Sequence, residues 1–295
     1  MENNKYITDN ETYILAKDKN NHNVTNHQIH DIVFKILLEI DRLCRKHNIP
    51  YALGFGSALG LNNYGGFIPW DDDADVVFDY PDYFRFVEVL KNELSEDFTF
   101  ECYEVDDRCN VLIPPMKIRY KNSYIKEKNS FTLPNRTKRG NGIFVDVCPF
   151  MGVPEKEKEH KKLIWKSKWL MPIYIFLDAL LHINPRHIKK SLKRFEQEVA
   201  DKYKDSNYVS QTVIIPFQEH PKKYVHSLAF PRDVIYPFKE YEFNGKKLYS
   251  FNNVEEFVRL RYGEEALPLW DGEKYISQFK YKKESEHLTK VDVFE

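Results

Sequence analysis

The sequence predicts an α+β protein: a mixed β-sheet core flanked by helices, followed by a mainly helical C-terminal part. Three observations predict it. Ile29, Ile32, Val33, Ile36, Leu37, Ile40, Leu43 and Cys44 recur at helical spacing. Short stretches at 51–55, 75–78, 98–105, 111–120 and 142–147 are rich in β-branched and aromatic residues, as strands are. Finally, 295 residues with 42% hydrophobic and 15% aromatic content can build a sizeable core and are not wholesale disordered.

Taken in order, residues 1–27 read as a polar, weakly patterned arm. The helix that follows stops at Asn48 and Pro50, because a proline pushes its predecessor out of the α region. Residues 82–94 read as a second helix, with Phe84, Val87 and Leu90 on its inner face. A solvated charge run near 154–162 marks the most natural boundary, dividing a core of 28–154 from a C-terminal region of 155–295 packed on it. Within that region, 163–183 mixes Trp165, Trp169, Tyr174 and Phe176 with Lys166 and Lys168. It reads either as an interfacial element touching a membrane surface or as a core helix. A helix with a basic face is predicted over 185–203. A small strand pair leading into a helix at 253–262 is predicted within 224–270.

Composition narrows the function. The 44 Lys and Arg nearly cancel 45 Asp and Glu, for a net charge of −1, which excludes a protein that coats nucleic acid through a bulk positive field. The four cysteines form no CxxC pair and point to reduced thiols in a cytoplasmic protein. No basic-then-apolar leader and no run of about 18 apolar residues is present, so a cytoplasmic location is expected. Five of the 11 glycines fall within 54–66, concentrating backbone freedom where a close approach is expected.

The chemistry is concentrated in GFGSALGLNNYGGFIPWDDDADVVF, residues 54–78. Gly56 and Ser57 open a predicted helix, whose N-terminal N–H groups and dipole favour a phosphate, although Gly-Ser also caps ordinary helices. Asp71, Asp72, Asp73 and Asp75 then run into an apolar strand. Residues two apart share a strand face, so Asp73 and Asp75 project together, and Asp71 joins them if the chain is already extended there. Such carboxylates repel one another unless a divalent cation compensates, and hard oxygen donors suit Mg²⁺ or Mn²⁺. A solvated acidic turn is the plainer reading of three aspartates, but the flanks Ile68-Pro69-Trp70 and Val76-Val77-Phe78 are apolar. An EF-hand loop is disfavoured, since Val76 and Asp82 stand where it needs Gly and Glu. Asp146 interrupts the apolar run of GIFVDVCPF, and a carboxylate mid-strand is costly to bury unless paired or bound to metal.

A Gly-Ser helix start, D-x-D on a strand and a later strand Asp is the arrangement of the nucleotidyltransferase superfamily. More narrowly, LGFGSALG…GGFIPWDDDADVVF resembles the signature of the LicD phosphotransferase family, which includes fukutin-related proteins. PPMKIRYKNS (114–123), GIFVDVCPF (142–150) and RYGEEALPLW (261–270) extend the resemblance over about 29–270. It implies a nucleotidyltransferase-like fold and a transferase that moves a phospho-alcohol group, typically phosphocholine from CDP-choline, onto a glycan hydroxyl. The glycan could be a lipopolysaccharide or a teichoic acid precursor, and lipid-linked. Under that resemblance Asp73, Asp75 and Asp146 are the catalytic and metal-holding residues. Gly56, Ser57, Trp70, Asp71, Lys117 and Arg119 are substrate-binding candidates, with the basic loop 136–142 as a lid. Trp70 could equally wedge a turn, and Tyr64 and Phe67 are candidate aromatics around a quaternary ammonium. Two alternatives stay open: a nucleotidyltransferase that leaves its nucleotide on the acceptor, and a non-catalytic glycan- or nucleotide-binding relative. The chain departs from the family pattern at Asn62-Asn63-Tyr64, where a basic residue is common, and at Cys148, where a large apolar residue is usual.

Overall fold

The computed structural model describes residues 6–111, 114–127, 141–167, 169–181, 183–211, 213, 229–278, 283, 285 and 287–294. The chain begins with β1 (Ile14–Lys17) and β2 (Asn23–Thr25), an antiparallel pair. Helix α1 (Asn26–His47) follows, with a capping box between Thr25 and Gln28 at its start. Arg45, Lys46 and His47 stand in its last turn, where cations suit the dipole, and Asn48 closes it in the left-handed conformation with φ 49°. Its buried face carries the predicted apolar series from Ile29 to Cys44.

Strand β3 (Ala52–Leu53), helix α2 (Phe55–Tyr64), strand β4 (Asp75–Asp79) and helix α3 (Tyr80–Glu93) come next. Strands β5 (Phe98–Cys102), β6 (Met116–Tyr120), β7 (Ser123–Glu127) and the fully buried β8 (Phe144–Val153) complete the first half. The second half holds α4 (Glu157–Ser167), α5 (Leu170–Ile175), a π-helical turn at Phe176–Leu180, and α6 (Arg186–Lys202). Then come β9 (Tyr208–Ser210), β10 (Phe230–Pro231), α7 (Arg232–Ile235), and the hairpin β11 (Lys239–Phe243) and β12 (Lys246–Ser250). Helix α8 (Val254–Tyr262), the pair β13 (Pro268–Trp270) and β14 (Tyr275–Ser277), and β15 (Leu288–Val293) end the chain.

One mixed sheet runs β10-β9-β8-β4-β3-β12-β11, with β6 pairing β8 and β5 pairing β6. The register sets the chemistry. Asp75 lies opposite Asp146 across the parallel β4–β8 pair, Asp146 opposite Lys117 across β8–β6, and Lys117 opposite Glu101 across β6–β5. Facing residues of neighbouring strands point to the same side, so one row of the sheet carries three carboxylates and one ammonium.

Helices flank the sheet as expected, but two segments contribute more strand than periodicity suggested. The N-terminal arm supplies β1 and β2, which bury Leu15, Ala16 and Val24, and β1 pairs with β15 in a second sheet ordered β2-β1-β15-β7. Beyond 155, helices dominate, yet β9 to β12 extend the central sheet. The β11–β12 hairpin is the strand pair expected before the helix at 253–262, whereas β9 and β10, of three and two residues, are too short for alternation to register. All four cysteines are buried. Among the described residues no helix is long and apolar enough to cross a membrane.

Candidate active site

Helix α2 starts where β3 ends, so its first turn faces the start of β4. Phe55 accommodates this sharp entry at φ 40°, a conformation costly for a side chain with a Cβ. Its ring is held edge-on to Phe150 at 5.8 Å and to Phe257 at 6.0 Å. The Gly54 N–H donates to the Asp75 carbonyl at 3.0 Å, the Asp75 N–H to the Ser57 hydroxyl oxygen at 2.9 Å, and the Gly56 N–H to Asp75 Oδ2 at 3.2 Å. The anion at this helix start is therefore the Asp75 carboxylate itself. A Cβ on Gly56 would sit 3.1 Å from Asp71 Oδ2 and 3.5 Å from Asp75 Oδ2, so glycine lets two carboxylates approach the backbone.

The clustered glycines divide by role. A Cβ on Gly60 would lie 2.4 Å from the Gly66 carbonyl oxygen, and one on Gly54 2.5 Å from Val77 Cγ2. Those two permit chain-on-chain packing, while Gly56 opens onto the carboxylates.

Asp73, Asp75 and Asp146 occupy one electrostatic neighbourhood. Burial pushes the Asp73 carboxyl up to about 7, with His287 pulling against the rise and Asp146 and Asp72 adding to it. Burial, then Asp73 and Asp146, holds the Asp75 carboxyl well above the ordinary carboxylate range. The Asp146 N–H donates to the Ala74 carbonyl at 2.8 Å, tying β8 to the approach to β4. Lys117 Nζ lies 3.0 Å from Asp146 Oδ1 and 3.2 Å from the Phe144 ring centroid. The Arg119 guanidinium also lies over Phe144, at 5.2 Å, but donates to Glu101 Oε1 at 2.9 and 2.7 Å and to the Gly142 carbonyl at 3.0 Å. Lys117 thus faces the carboxylates, whereas Arg119 ties β6 to β5 and to the start of β8.

His287, which motif reasoning missed, and Asp72, which it named only as part of the acidic run, complete the neighbourhood. His287 Nε2 is 3.4 Å from Asp73 Oδ2. Burial works against its charged form, but Asp73, Asp72 and Asp146 outweigh it and raise the imidazole to about 9. Asp72 Oδ2 accepts from the N–H groups of His287 at 3.0 Å and Leu288 at 2.8 Å, and from the Ser285 hydroxyl. Asp72 Oδ1 is buried without a hydrogen-bond partner among the described residues. Ligand atoms of Asp72, Asp73 and His287 lie within 4.8 Å of one another, close enough to share a cation. Asp72 and His287 are 215 residues apart in the chain, and no local spacing announces their contact.

The remaining candidates lie to one side. Trp70 is buried, edge-on to Tyr13 at 5.6 Å and to Tyr64 at 6.1 Å, with Lys283 Nζ 5.4 Å above its ring. Phe67 is buried, stacked on His30 at 4.4 Å and packed against Phe243 at 5.0 Å. His30 in turn contacts the Asp71 carbonyl oxygen at 2.8 Å, bracing the acidic turn from α1, and burial lowers its imidazole to about 4. Of the loop 136–142, residues 136–140 lie outside the described residues.

The donor set fits a hard divalent cation: carboxylate oxygens in excess of cations, burial that penalises their charge, and one orphaned buried oxygen on Asp72. Residues 48–176, which include every strand carrying these carboxylates, match the family described as LicD/FKTN/FKRP, nucleotidyltransferase domain. The lipopolysaccharide cholinephosphotransferase LicD of Haemophilus influenzae is 26% identical over 251 residues, covering 79% of this chain and 88% of the relative. Residues 48–176 are thus similar to the nucleotidyltransferase domain of the LicD family, and most of the chain is similar to one LicD protein.

Proposed function

We propose that this protein is a metal-dependent phosphotransferase that moves phosphocholine from CDP-choline onto a hydroxyl of a cell-surface glycan, releasing CMP. The carboxylate neighbourhood carries the assignment: Asp73, Asp75 and Asp146 share a buried site in which two acids are held far above their usual range. The LicD relative, named as acting on lipopolysaccharide, favours a glycan such as lipopolysaccharide over a teichoic acid precursor as acceptor. Four buried cysteines with no CxxC pair suit the cytoplasm as the location.

Asp73, Asp75 and Asp146 would hold Mg²⁺ or Mn²⁺, with Asp72 and His287 at its edge. A cation there supplies positive charge to the donor diphosphate and to the departing CMP. Gly56 and Ser57 hold Asp75 at the start of α2, through its carboxylate and its N–H, so that the cation it binds meets the donor phosphate beside that helix start. Asp146 takes the proton of the acceptor hydroxyl, and Lys117, 3.0 Å away, steadies whichever partner is negatively charged. Apart from His287, these residues lie in the core assigned to 28–154.

The test is turnover by the full chain with CDP-choline, Mg²⁺ or Mn²⁺ and a glycan acceptor. CMP release with an acceptor heavier by one phosphocholine is the expected result. A nucleotide on the acceptor would instead assign nucleotidyl transfer. Absence of metal-dependent CMP release from CDP-choline or any other CDP-alcohol would overturn the assignment.

A further inference from the structure

Helix α5 and the π-helical turn after it form one helical run, with Trp169 before it and Phe176 within it both in right-handed helical conformation. Its inner face buries Tyr174, whose hydroxyl donates to Asn110 Oδ1 at 2.8 Å, and also Asp178. The outer face should then be polar, but it is not. Trp169 is 68% exposed, Ile173 51% and Phe176 51%, and the 57% exposed Trp165 of α4 meets Trp169 ring to ring at 6.3 Å. Spacings of four and three residues put Trp169, Ile173 and Phe176 on one helical face, and Trp165 joins them from α4 through its ring contact with Trp169. A helix that is apolar all round normally has apolar surroundings all round.

Charge identifies the surroundings. Residues 161–194 carry nine lysines and arginines against one acid, Asp178, which is buried, in a chain whose net charge is −1. Lys189 is buried, Lys193 is paired with Glu104 and Glu196, Arg186 with Asp107 and Arg194 with Glu198, while Lys161, Lys162 and Lys190 are exposed in the segments flanking the ridge. Protein interfaces are depleted of lysine, whereas anionic lipid headgroups attract it, and tryptophan favours the membrane–water boundary. At 1.5 Å per residue a run of this length reaches about 20 Å, short of the roughly 30 Å hydrocarbon core, so it fits along a bilayer and not across it.

We propose that the Trp165–Trp169–Ile173–Phe176 ridge docks this protein peripherally on an anionic lipid bilayer, with the flanking lysines over the headgroups. The ridge shares no residue with the carboxylate site, so the proposal stands or falls independently of the transfer chemistry.

The experiment is flotation of the full chain with vesicles of phosphatidylcholine, with and without phosphatidylglycerol. The protein should float with the anionic vesicles and be released by salt. Trp165→Ser, Trp169→Ser and Phe176→Ser together should lower partitioning at least about tenfold, since each aromatic forfeits apolar burial. Lys161→Glu with Lys162→Glu, which keeps the ridge, should weaken binding to anionic vesicles only. An unchanged circular dichroism spectrum in each variant shows that folding is intact. Failure of the wild-type chain to float, or equal flotation of the triple variant, overturns the proposal. So does a ridge-dependent dimer that ignores vesicles, which would make a second copy the occupant.

Discussion

Lys193, Glu104 and Glu196 form one buried charged cluster, and Asp73, Asp75 and Asp146 form another. In the first, Lys193 Nζ lies 3.1 Å from Glu104 Oε1 and 2.8 Å from Glu196 Oε2, and the Tyr83 hydroxyl donates to Glu104 Oε2 at 3.2 Å. Burial opposes the Lys193 charge, yet Glu196 and Glu104 raise its ammonium above the ordinary lysine range. The protein thus supplies the cation that its acids require, and the cluster joins α6 to α3 and the end of β5. In the second, Lys117 and His287 face four carboxylates, and Asp73 and Asp75 are driven toward their neutral forms. A balanced cluster holds architecture together. The acid-rich one in the same molecule is the one proposed to take up a cation.

Breaking each cluster should have opposite consequences. Asp73→Asn or Asp75→Asn removes several kcal/mol of transition-state charge stabilisation, so transfer should fall about 10³-fold at roughly 1.4 kcal/mol per tenfold. The melting temperature of the metal-free variant should hold or rise, because carboxylate repulsion is relieved. Steady-state CMP release and thermal melting measure the two effects. Lys193→Met should do the reverse, leaving Glu104 and Glu196 without their cation at a cost of about 3–5 kcal/mol. Denaturant titration would register that loss, while turnover per folded molecule should be unchanged.

Acidity sharpens the contrast. Asp73 has a folded value near 7 against an ordinary 3.8, so its contribution to stability is present below about 4 and lost as pH rises through 7. His287, raised from 6.5 to about 9, contributes below 6.5 and loses that contribution as pH rises through 9. Melting curves in chelator should therefore show this site destabilising the fold from about pH 4 to 9. Mg²⁺ should flatten the part due to Asp73, and Asp73→Asn should remove it. A smaller effect is expected at the rim. Asp72→Ala removes the acceptor that gathers Ser285, His287 and Leu288, worth about 1–3 kcal/mol locally. It should speed amide exchange at 287 and 288 more than in β4.

The residues themselves explain how far sequence reasoning reached. Asp73 and Asp75 stood out because an acidic run leads straight into an apolar strand, and Asp146 because it interrupts one, where an unneeded carboxylate is costly. The α1 face was legible because its 22 residues repeat the helical period several times. His287 and the Asp72 tether were not, because their contact spans 215 residues and depends on β15 folding back beside β1 and β7. The start of α2 was half legible. Gly-Ser announced an anion site, but the occupying carboxylate is Asp75, which only the β3–α2–β4 geometry reveals. Arg119 shares the ring of Phe144 with Lys117, yet Glu101, opposite Lys117 on β5, engages its guanidinium.

The central claim is that the acid-rich cluster is completed by a divalent cation, and the most direct measurement is Mn²⁺ binding followed by electron paramagnetic resonance without any substrate. The wild-type chain and Lys193→Met should bind Mn²⁺ alike, whereas Asp73→Asn and Asp75→Asn should each weaken binding by tenfold or more, about 1.4 kcal/mol. Equal Mn²⁺ affinity in the wild type and in a chain with Asp73, Asp75 and Asp146 all replaced by Asn would contradict the account.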